Sequence, residues 1–184
     1  MRILPEKTQC LLIDMQEKLL PSVAGWQECE KRTAAVAKGL KILGLPMIIT
    51  QQYTKGLGMS VPGIFEAAGT EKYYDKRTFS CAQDQGIMDA IRENGRENIL
   101  VCGIEAHVCV LQTCIDLKAM GYNPIIVVDA ALSMREFDKE VSLQRAMQEG
   151  ILLTTSEAVL FELTVDSKHP KFKEISNLVK ETRK

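Results

Sequence analysis

Short, largely apolar runs recur along this chain, and segments with helical periodicity separate them. The clearest runs are Gln9–Asp14, Met47–Thr50, Ile99–Gly103, Pro124–Val128 and Ile151–Thr154. A strand that is apolar on both sides must be covered on both faces, which is the usual environment of a parallel sheet. The alternation therefore predicts an α/β fold in which crossover helices cover both faces of a parallel sheet.

Most of the helical segments fall between these runs, and a glycine follows four of them within two residues. Helices are predicted at Trp26–Leu43, Gln83–Glu93, Val108–Met120, Glu136–Gln148, Glu157–Leu163 and Lys171–Lys180. A weaker pattern at Lys72–Lys76 predicts a short strand. Gln51–Tyr73 is the one long segment without clear periodicity, and it is interpreted as a lid, a pocket wall or an inert surface loop.

The composition favours one domain, residues 1–184, that acts on small molecules. The chain is 46% hydrophobic and has a net charge of −1, so neither a nucleic-acid surface nor a polybasic membrane patch is expected. No apolar run is long enough to span a bilayer, and the N-terminal residues are charged where a secretory signal is apolar. We therefore expect a cytoplasmic protein without a nucleic-acid or membrane partner.

Six cysteines are present, but their spacing fits neither a zinc site nor a disulfide framework. Cys10, Cys102 and Cys114 lie in predicted strands or on the inner face of a helix, so we expect them to be buried. The positions of Cys29 and Cys81 stay open. With only two histidines in the chain, no metal site is predicted.

Cys109 differs from the other cysteines because it lies where a predicted strand turns into a predicted helix. The first turn of a helix presents unpaired N–H groups and positive potential, which favour a thiolate. The sequence therefore predicts a nucleophilic cysteine whose pKa lies below its ordinary value.

Three more polar residues are predicted at the carboxyl ends of strands: Asp14, Lys76 and Asp129. Taken singly, Asp14 could cap a helix and Lys76 could be a solvated surface residue. Because ligands of parallel sheets bind beyond the carboxyl ends of the strands, their joint placement with Cys109 predicts a functional site there.

Three motifs resemble the signatures of the isochorismatase-like cysteine hydrolases, in the order and spacing of that family. They are Leu12–Gln16, Lys76–Ser80 and Gly103–Val110. Gln51–Gly58 and the segment from Thr155 to Lys173 also resemble the branch called isochorismatase domain-containing proteins.

The resemblance implies a six-stranded parallel sheet in a three-layer α/β/α, Rossmann-like arrangement, and an Asp14, Lys76 and Cys109 catalytic set. Cys109 would attack the acyl carbon of a small amide or related C–N substrate and form a covalent acyl-enzyme. Asp14 would move the proton and Lys76 would balance the charge. The resemblance also implies a homo-oligomer in which a neighbouring subunit helps to complete the pocket.

The turn from strand to helix at Gly103–Val110, which contains Cys109 and is called the elbow below, is expected to hold the oxyanion. The resemblance implies a cis peptide bond between Ile104 and Glu105, with the N–H groups of Glu105 and Cys109 as oxyanion donors. No glycine-rich phosphate-binding motif is present, so no cofactor is predicted.

The substrate pocket is predicted to include Gln16, Gln52, Tyr53 and Phe79, because these residues follow strand ends. Glu105 could recognise a cationic or amide group of the substrate, or it could be a structural partner of Lys76 or Arg77. His107 could likewise line the pocket or belong to the start of the following helix; both possibilities stay open for each residue.

Two departures from the family narrow the substrate. Residues 15–75 contain no histidine, which argues against the metal-assisted hydrolysis of nicotinamide that the family also performs. The presence of Cys109 argues against isochorismate, because the members that cleave it lack this nucleophile. A non-catalytic binding or scaffold protein stays possible, as does a thiol redox protein that pairs Cys109 with Cys114 or Cys102.

Overall fold

A computed structural model describes residues 1–183 and contains a parallel sheet of six strands with helices on both faces. The strands are β1 (Thr8–Ile13), β2 (Met47–Gln52), β3 (Tyr74–Lys76), β4 (Asn98–Ile104), β5 (Asn123–Leu132) and β6 (Leu152–Thr154). The helices are α1 (Trp26–Leu43), α2 (Thr54–Leu57), α3 (Pro62–Ala68), α4 (Gln85–Asn94), α5 (Leu111–Ala119), α6 (Glu136–Gln148), α7 (Ser156–Thr164) and α8 (Phe172–Thr182). The predicted α/β fold is confirmed.

The strands are apolar on both sides because each face of the sheet carries its own core. In β1, Cys10 and Leu12 point into the core beneath α1, α3 and α7, whereas Leu11 and Ile13 point into the core beneath α4, α5 and α6. All six residues of β1 are buried. This double burial explains why β1 lacks the polar alternation of a strand that faces water.

The strand order β3-β2-β1-β4-β5-β6 places the site. The chain runs outward from β1 to β3, then returns to the other side of β1 with β4. The carboxyl ends of β1 and β4 therefore lie side by side where the winding direction reverses, which is the usual ligand-binding position of such sheets. Asp14 directly follows β1, and the elbow that contains Cys109 directly follows β4.

The prediction of an irregular segment at Gln51–Tyr73 is partly wrong. β2 continues to Gln52, and the segment contains the short helices α2 and α3. Pro62 is the first residue of α3 and Gly69 closes it with φ +70°. The Pro62-Gly63 pair suggested a loop, although proline is also favoured in the first turn of a helix.

The helix predicted from Val108 begins differently in the structure. Residues Ala106–Val110 form one π-helical turn, and the α-helix α5 follows from Leu111. Cys109 lies inside this wide turn, whose residues pack between β4 and α6. Such single π-turns occur frequently at functional sites.

Candidate active site

Asp14, Lys76 and Cys109 lie together in the structure. The Lys76 ammonium nitrogen, Nζ, is 2.7 Å from Asp14 Oδ2 and 3.6 Å from Cys109 Sγ. The side chains of Asp14 and Lys76 are fully buried, and Cys109 is 6% exposed. Three residues that are far apart in sequence thus form one buried cluster of an acid, a base and a thiol.

Asp14 is held through its backbone and its side chain. Its φ is +54°, in the left-handed region that an aspartate tolerates better than most residues. Its N–H donates to the carbonyl of Thr50 at 3.1 Å, and its Oδ1 accepts from the Thr50 hydroxyl at 2.8 Å. Both carboxylate oxygens therefore have a donor, one from Thr50 and one from Lys76.

Lys76 is enclosed by acceptors besides Asp14. Gln52 Oε1 lies 2.7 Å from Nζ, and the carbonyls of Thr78 and Phe79 lie at 3.2 Å. Burial by itself lowers the pKa of Lys76, but the charge of Asp14, followed by the neighbouring cysteine sulfurs, outweighs burial and raises it. The residue is therefore a fixed positive charge.

The prediction of a lowered pKa for Cys109 is wrong for the resting structure. Burial, followed by the charge of Asp14, raises the pKa of the Cys109 thiol to about 12, although the charge of Lys76 acts in the opposite direction. Desolvation disfavours any buried anion, and here it outweighs the favourable potential of a helix terminus. Cys109 is a thiol at neutral pH in the resting structure.

The elbow brings Cys109 up to the cluster. The peptide bond between Ile104 and Glu105 is cis, at the position that the resemblance implied. The Glu105 carbonyl accepts from the N–H groups of Val108 and Val110, which stabilises the π-helical turn. The oxyanion-binding role of the Glu105 and Cys109 N–H groups stays a prediction.

Glu105 has a partner that the sequence did not suggest. Its Oε2 accepts from the Met134 N–H at 2.8 Å, and neither Lys76 nor Arg77 contacts it among the described hydrogen bonds and ion pairs. His107 lies beside it, with Nδ1 3.0 Å from Ser133 Oγ. Both side chains connect the elbow to the residues that precede α6, and both are only partly buried.

Gln16 and Gln52 were predicted to line the pocket, but their amides are engaged within the protein. Gln16 is fully buried, donates to the carbonyls of Gln52 and Gly58, and accepts from the Gln52 N–H. The Gln52 amide bridges Lys76 Nζ and the Arg77 carbonyl. The geometry favours positioning roles for these two residues over direct substrate contact.

Tyr53 and Phe79 have exposed rings. Phe79 is 55% exposed, while its carbonyl contacts Lys76. Tyr53 has φ +42°, and the Arg77 guanidinium lies 3.9 Å from the centre of its ring. Phe79 is therefore open to contact a substrate or another chain, whereas Arg77 covers part of the Tyr53 ring. The pocket role of both residues stays a prediction.

Asp129 does not join the cluster. The prediction that it follows a strand is wrong, because β5 continues to Leu132 and Asp129 lies within it. Its two carboxylate oxygens accept from the N–H and the hydroxyl of Ser156, the first residue of α7. It therefore satisfies donors at the start of a helix, a common role for aspartate.

Thr50 is a site residue that the sequence did not reveal. It is a fully buried polar residue in β2, paired with Ile13 in the register between β1 and β2. One sequence signal could have identified Thr50: it is a polar residue in a run predicted to be a buried strand. A buried hydroxyl needs a hydrogen-bond partner.

A model of the isochorismatase domain matches residues 8–158, which include all three members of the cluster. The chain belongs to the isochorismatase family.

Relatives in the isochorismatase family match almost the whole chain. Isochorismatase domain-containing protein 2 of Bos taurus is 39% identical over 181 residues, covering 98% of this chain and 86% of that protein. Isochorismatase domain-containing protein 1 of Salmo salar is 34% identical over 178 residues, covering 97% of this chain. The match spans 62% of that longer relative.

Solved structures share the isochorismatase-family fold. The structure of MAR1 Ribonuclease from Caenorhabditis elegans has a TM-score of 0.90 and 36% identity, covering 97% of this chain and 92% of that chain. The YcaC gene product of Escherichia coli, described as an octameric hydrolase of unknown specificity, has a TM-score of 0.86. At 21% identity over 99% of this chain and 96% of that chain, the YcaC likeness supports the fold alone.

Within residues 1–183, no group of three or more His, Cys, Asp or Glu side chains has the arrangement of a metal site. None of the helices in this part of the chain is long and apolar enough to cross a membrane. All six cysteines are free and buried, including Cys29 and Cys81, whose positions the sequence left open.

Proposed function

We propose that this chain is a cysteine hydrolase that cleaves a small amide or a related C–N substrate through an acyl-enzyme at Cys109. One observation carries the proposal: the buried ammonium of Lys76 contacts both the Asp14 carboxylate and the Cys109 sulfur. A nucleophile and a proton acceptor thus flank one fixed positive charge.

The reaction begins with Cys109 as a thiol. As Sγ bonds to the acyl carbon, the thiol proton passes to Asp14, and the carbonyl electrons move onto the oxygen. The N–H groups of Glu105 and Cys109 would bind that oxyanion. Asp14 then returns the proton to the leaving nitrogen, the C–N bond breaks, and a thioester and an amine remain.

Water completes the cycle. Asp14 accepts a proton from the attacking water, the C–S bond breaks, and the proton returns to sulfur as the acid leaves. Lys76 keeps the net charge of the cluster balanced whenever the proton is on Asp14 or on Cys109. Because burial disfavours a free thiolate, proton transfer that accompanies attack is the favourable route.

A screen of small amides and carbamates, read by amine release and intact mass, tests this proposal. The wild-type chain should gain the mass of the acyl group, and Cys109→Ala and Asp14→Asn should each reduce turnover by at least about 10³-fold. Combining the two substitutions should reduce turnover little further.

Cys29→Ala, in the core on the opposite face of the sheet, is the matched control and should leave turnover unchanged. Near-normal turnover by Asp14→Asn would contradict the proton-transfer role.

RNA cleavage is a second candidate because the C. elegans neighbour is named a ribonuclease. The charge of this chain does not favour it: the net charge is −1, and the one ammonium in the cluster is fully buried against Asp14. End-labelled RNA belongs in the same screen. Cleavage by the wild-type chain that Cys109→Ala abolishes would favour the ribonuclease function over amide hydrolysis.

A scaffold protein and a thiol redox protein would each behave differently from a hydrolase. A binding or scaffold member would keep the cluster but gain no acyl mass from any substrate. A redox protein would form a disulfide at Cys109, but Cys102 belongs to the core on the opposite face of the sheet and Cys114 is fully buried. The contacts of Lys76 with both Cys109 and Asp14 therefore support acyl chemistry better than scaffolding or redox exchange.

We also propose that the chain forms a homo-oligomer. The exposed side chains of Tyr53 and Phe79, in segments that adjoin the cluster, support this assembly.

A further inference from the structure

Thr50 contacts Asp14 at two points. Its carbonyl accepts from the Asp14 N–H at 3.1 Å, and its hydroxyl donates to Oδ1 at 2.8 Å. The two residues are 36 positions apart but lie on neighbouring strands, where Thr50 pairs with Ile13. One residue thus anchors both the backbone and the carboxylate of Asp14.

The hydroxyl of Thr50 has a fixed orientation. An ionised carboxylate can only accept hydrogen bonds, so the Thr50 proton points to Asp14. Cys81 Sγ lies 3.9 Å from the hydroxyl oxygen of Thr50 and can donate its S–H to that oxygen. Cys81 and Thr50 are fully buried, so no water competes for the hydroxyl.

A carboxylate that moves protons must keep its orientation when its charge changes. Lys76 holds Oδ2, but an ammonium can follow a rotating carboxylate because its own donors also rotate. The bond from Thr50 to Oδ1 restrains that rotation. The bond from the Asp14 N–H to the Thr50 carbonyl also restrains the left-handed backbone of Asp14.

We propose that Thr50 is the positioning residue of Asp14, and that its hydroxyl holds the carboxylate where it can exchange a proton with Cys109 and with the attacking water. This inference rests on the proposed cysteine-hydrolase function. It assigns Thr50 no contact with the substrate.

The test uses Thr50→Val, which keeps the shape of the side chain but removes the hydroxyl, and Thr50→Ser, which restores it. Thr33→Val is the matched control, because Thr33 is also fully buried and its hydroxyl donates to the Ala130 carbonyl, at 3.4 Å, rather than to the cluster. p-Nitrophenyl acetate is the probe. It acetylates an accessible thiol with release of p-nitrophenolate, and the acetyl-enzyme must then be hydrolysed by water.

The Thr50→Val acetyl-enzyme should be hydrolysed about 10- to 100-fold more slowly than the wild-type one, with KM for the ester nearly unchanged. The Thr50→Ser acetyl-enzyme should be hydrolysed at a rate within about threefold of the wild-type rate. Thr33→Val should hydrolyse its acetyl group at the wild-type rate even if its melting temperature falls as much as that of Thr50→Val.

The outcomes separate the two proposals. A wild-type chain that is acetylated at Cys109, together with an unchanged rate for Thr50→Val or an equal loss in Thr50→Ser, overturns the role of Thr50 alone. A wild-type chain that acquires no acetyl group at Cys109 overturns the proposed function, and this inference with it. A loss of rate in Thr33→Val equal to that in Thr50→Val would show a general packing effect and would also overturn the inference.

Discussion

Two opposing charges act on one sulfur atom at the residue scale. Burial and the Asp14 carboxylate raise the pKa of Cys109 to about 12, and the Lys76 ammonium lowers it. The opposite charges of Asp14 and Lys76 largely cancel each other, so Cys109 experiences little net charge from the pair. This balance keeps the thiol protonated at rest and makes its reactivity depend on Asp14.

Asp14→Asn should therefore separate reactivity from turnover. The neutral amide leaves the Lys76 charge unopposed, so the pKa of Cys109 should fall below about 12. Iodoacetamide should then label Cys109 faster than in the wild-type chain at pH 8, even though turnover is lost. Labelling rates across pH 6–11 measure the change, with Cys109→Ala as the blank.

Asp75→Asn is the matched control for this prediction, because that carboxylate lies next to Lys76 in sequence but bonds to Thr54. It should leave the labelling profile unchanged. A wild-type chain that already labels with an apparent pKa near the roughly 8.5 of a free cysteine would contradict the raised pKa of Cys109.

At the scale of elements, the close approach of β1 and β4 sets the geometry of the site. Gly103 has φ +129°, and a Cβ at this position would overlap the backbone carbonyl of Ile13. The pairing of β4 with β5 also shifts register between Val101 and Gly103. Glycine thus permits β4, which leads into the elbow, to lie directly against β1, which Asp14 follows.

Gly103→Ala should lower the free energy of unfolding by about 2–5 kcal/mol, through backbone strain and overpacking together. Gly95→Ala is the control, since Gly95 has φ +64° but open space around it. It should cost only about 1–2 kcal/mol. Urea denaturation measures both values, and equal losses would refute the role assigned to the close approach.

At the scale of the whole molecule, most of the apolar segment Gln51–Tyr73 is covered by the chain itself. Ile64 is fully buried beneath α1, and Phe65 packs against the same core. Met59 and Tyr73 remain exposed and line a groove of about 780 Å³. This groove is therefore the part of the segment that remains open to a contact with another chain.

We expect light scattering at micromolar concentration to give a mass of at least two chains. If the groove is the contact, Met59→Glu should dissociate the assembly, because it places a carboxylate in an apolar interface beside Glu17 and Glu66. Met147→Glu, which replaces a more exposed methionine on α6, should leave the mass unchanged. A monomeric wild-type chain, or dissociation by Met147→Glu alone, would contradict this contact.

Much of the fold could be predicted from the sequence because its signals are local. The limits of α1 and α6 agree with the helical pattern at both ends, and the buried strands agree to within a few residues except β5, which continues to Leu132. The errors arose where one local signal has two structural meanings. Pro62 and Gly63 suggested a loop but lie in the first turn of α3, and Ala106–Val110 forms a π-turn with no separate local signature.

The sequence by itself determined the layered α/β arrangement and the candidate residues Asp14, Lys76 and Cys109, because periodicity and motif spacing depend on residues close together in the chain. Only the tertiary structure decided that these residues touch, that Thr50 anchors Asp14, and that Glu105 bonds to Met134. It also reversed the expected pKa shift of Cys109. Burial and contact are set by strands brought together from distant parts of the chain, and desolvation depends on that packing, which no local pattern encodes.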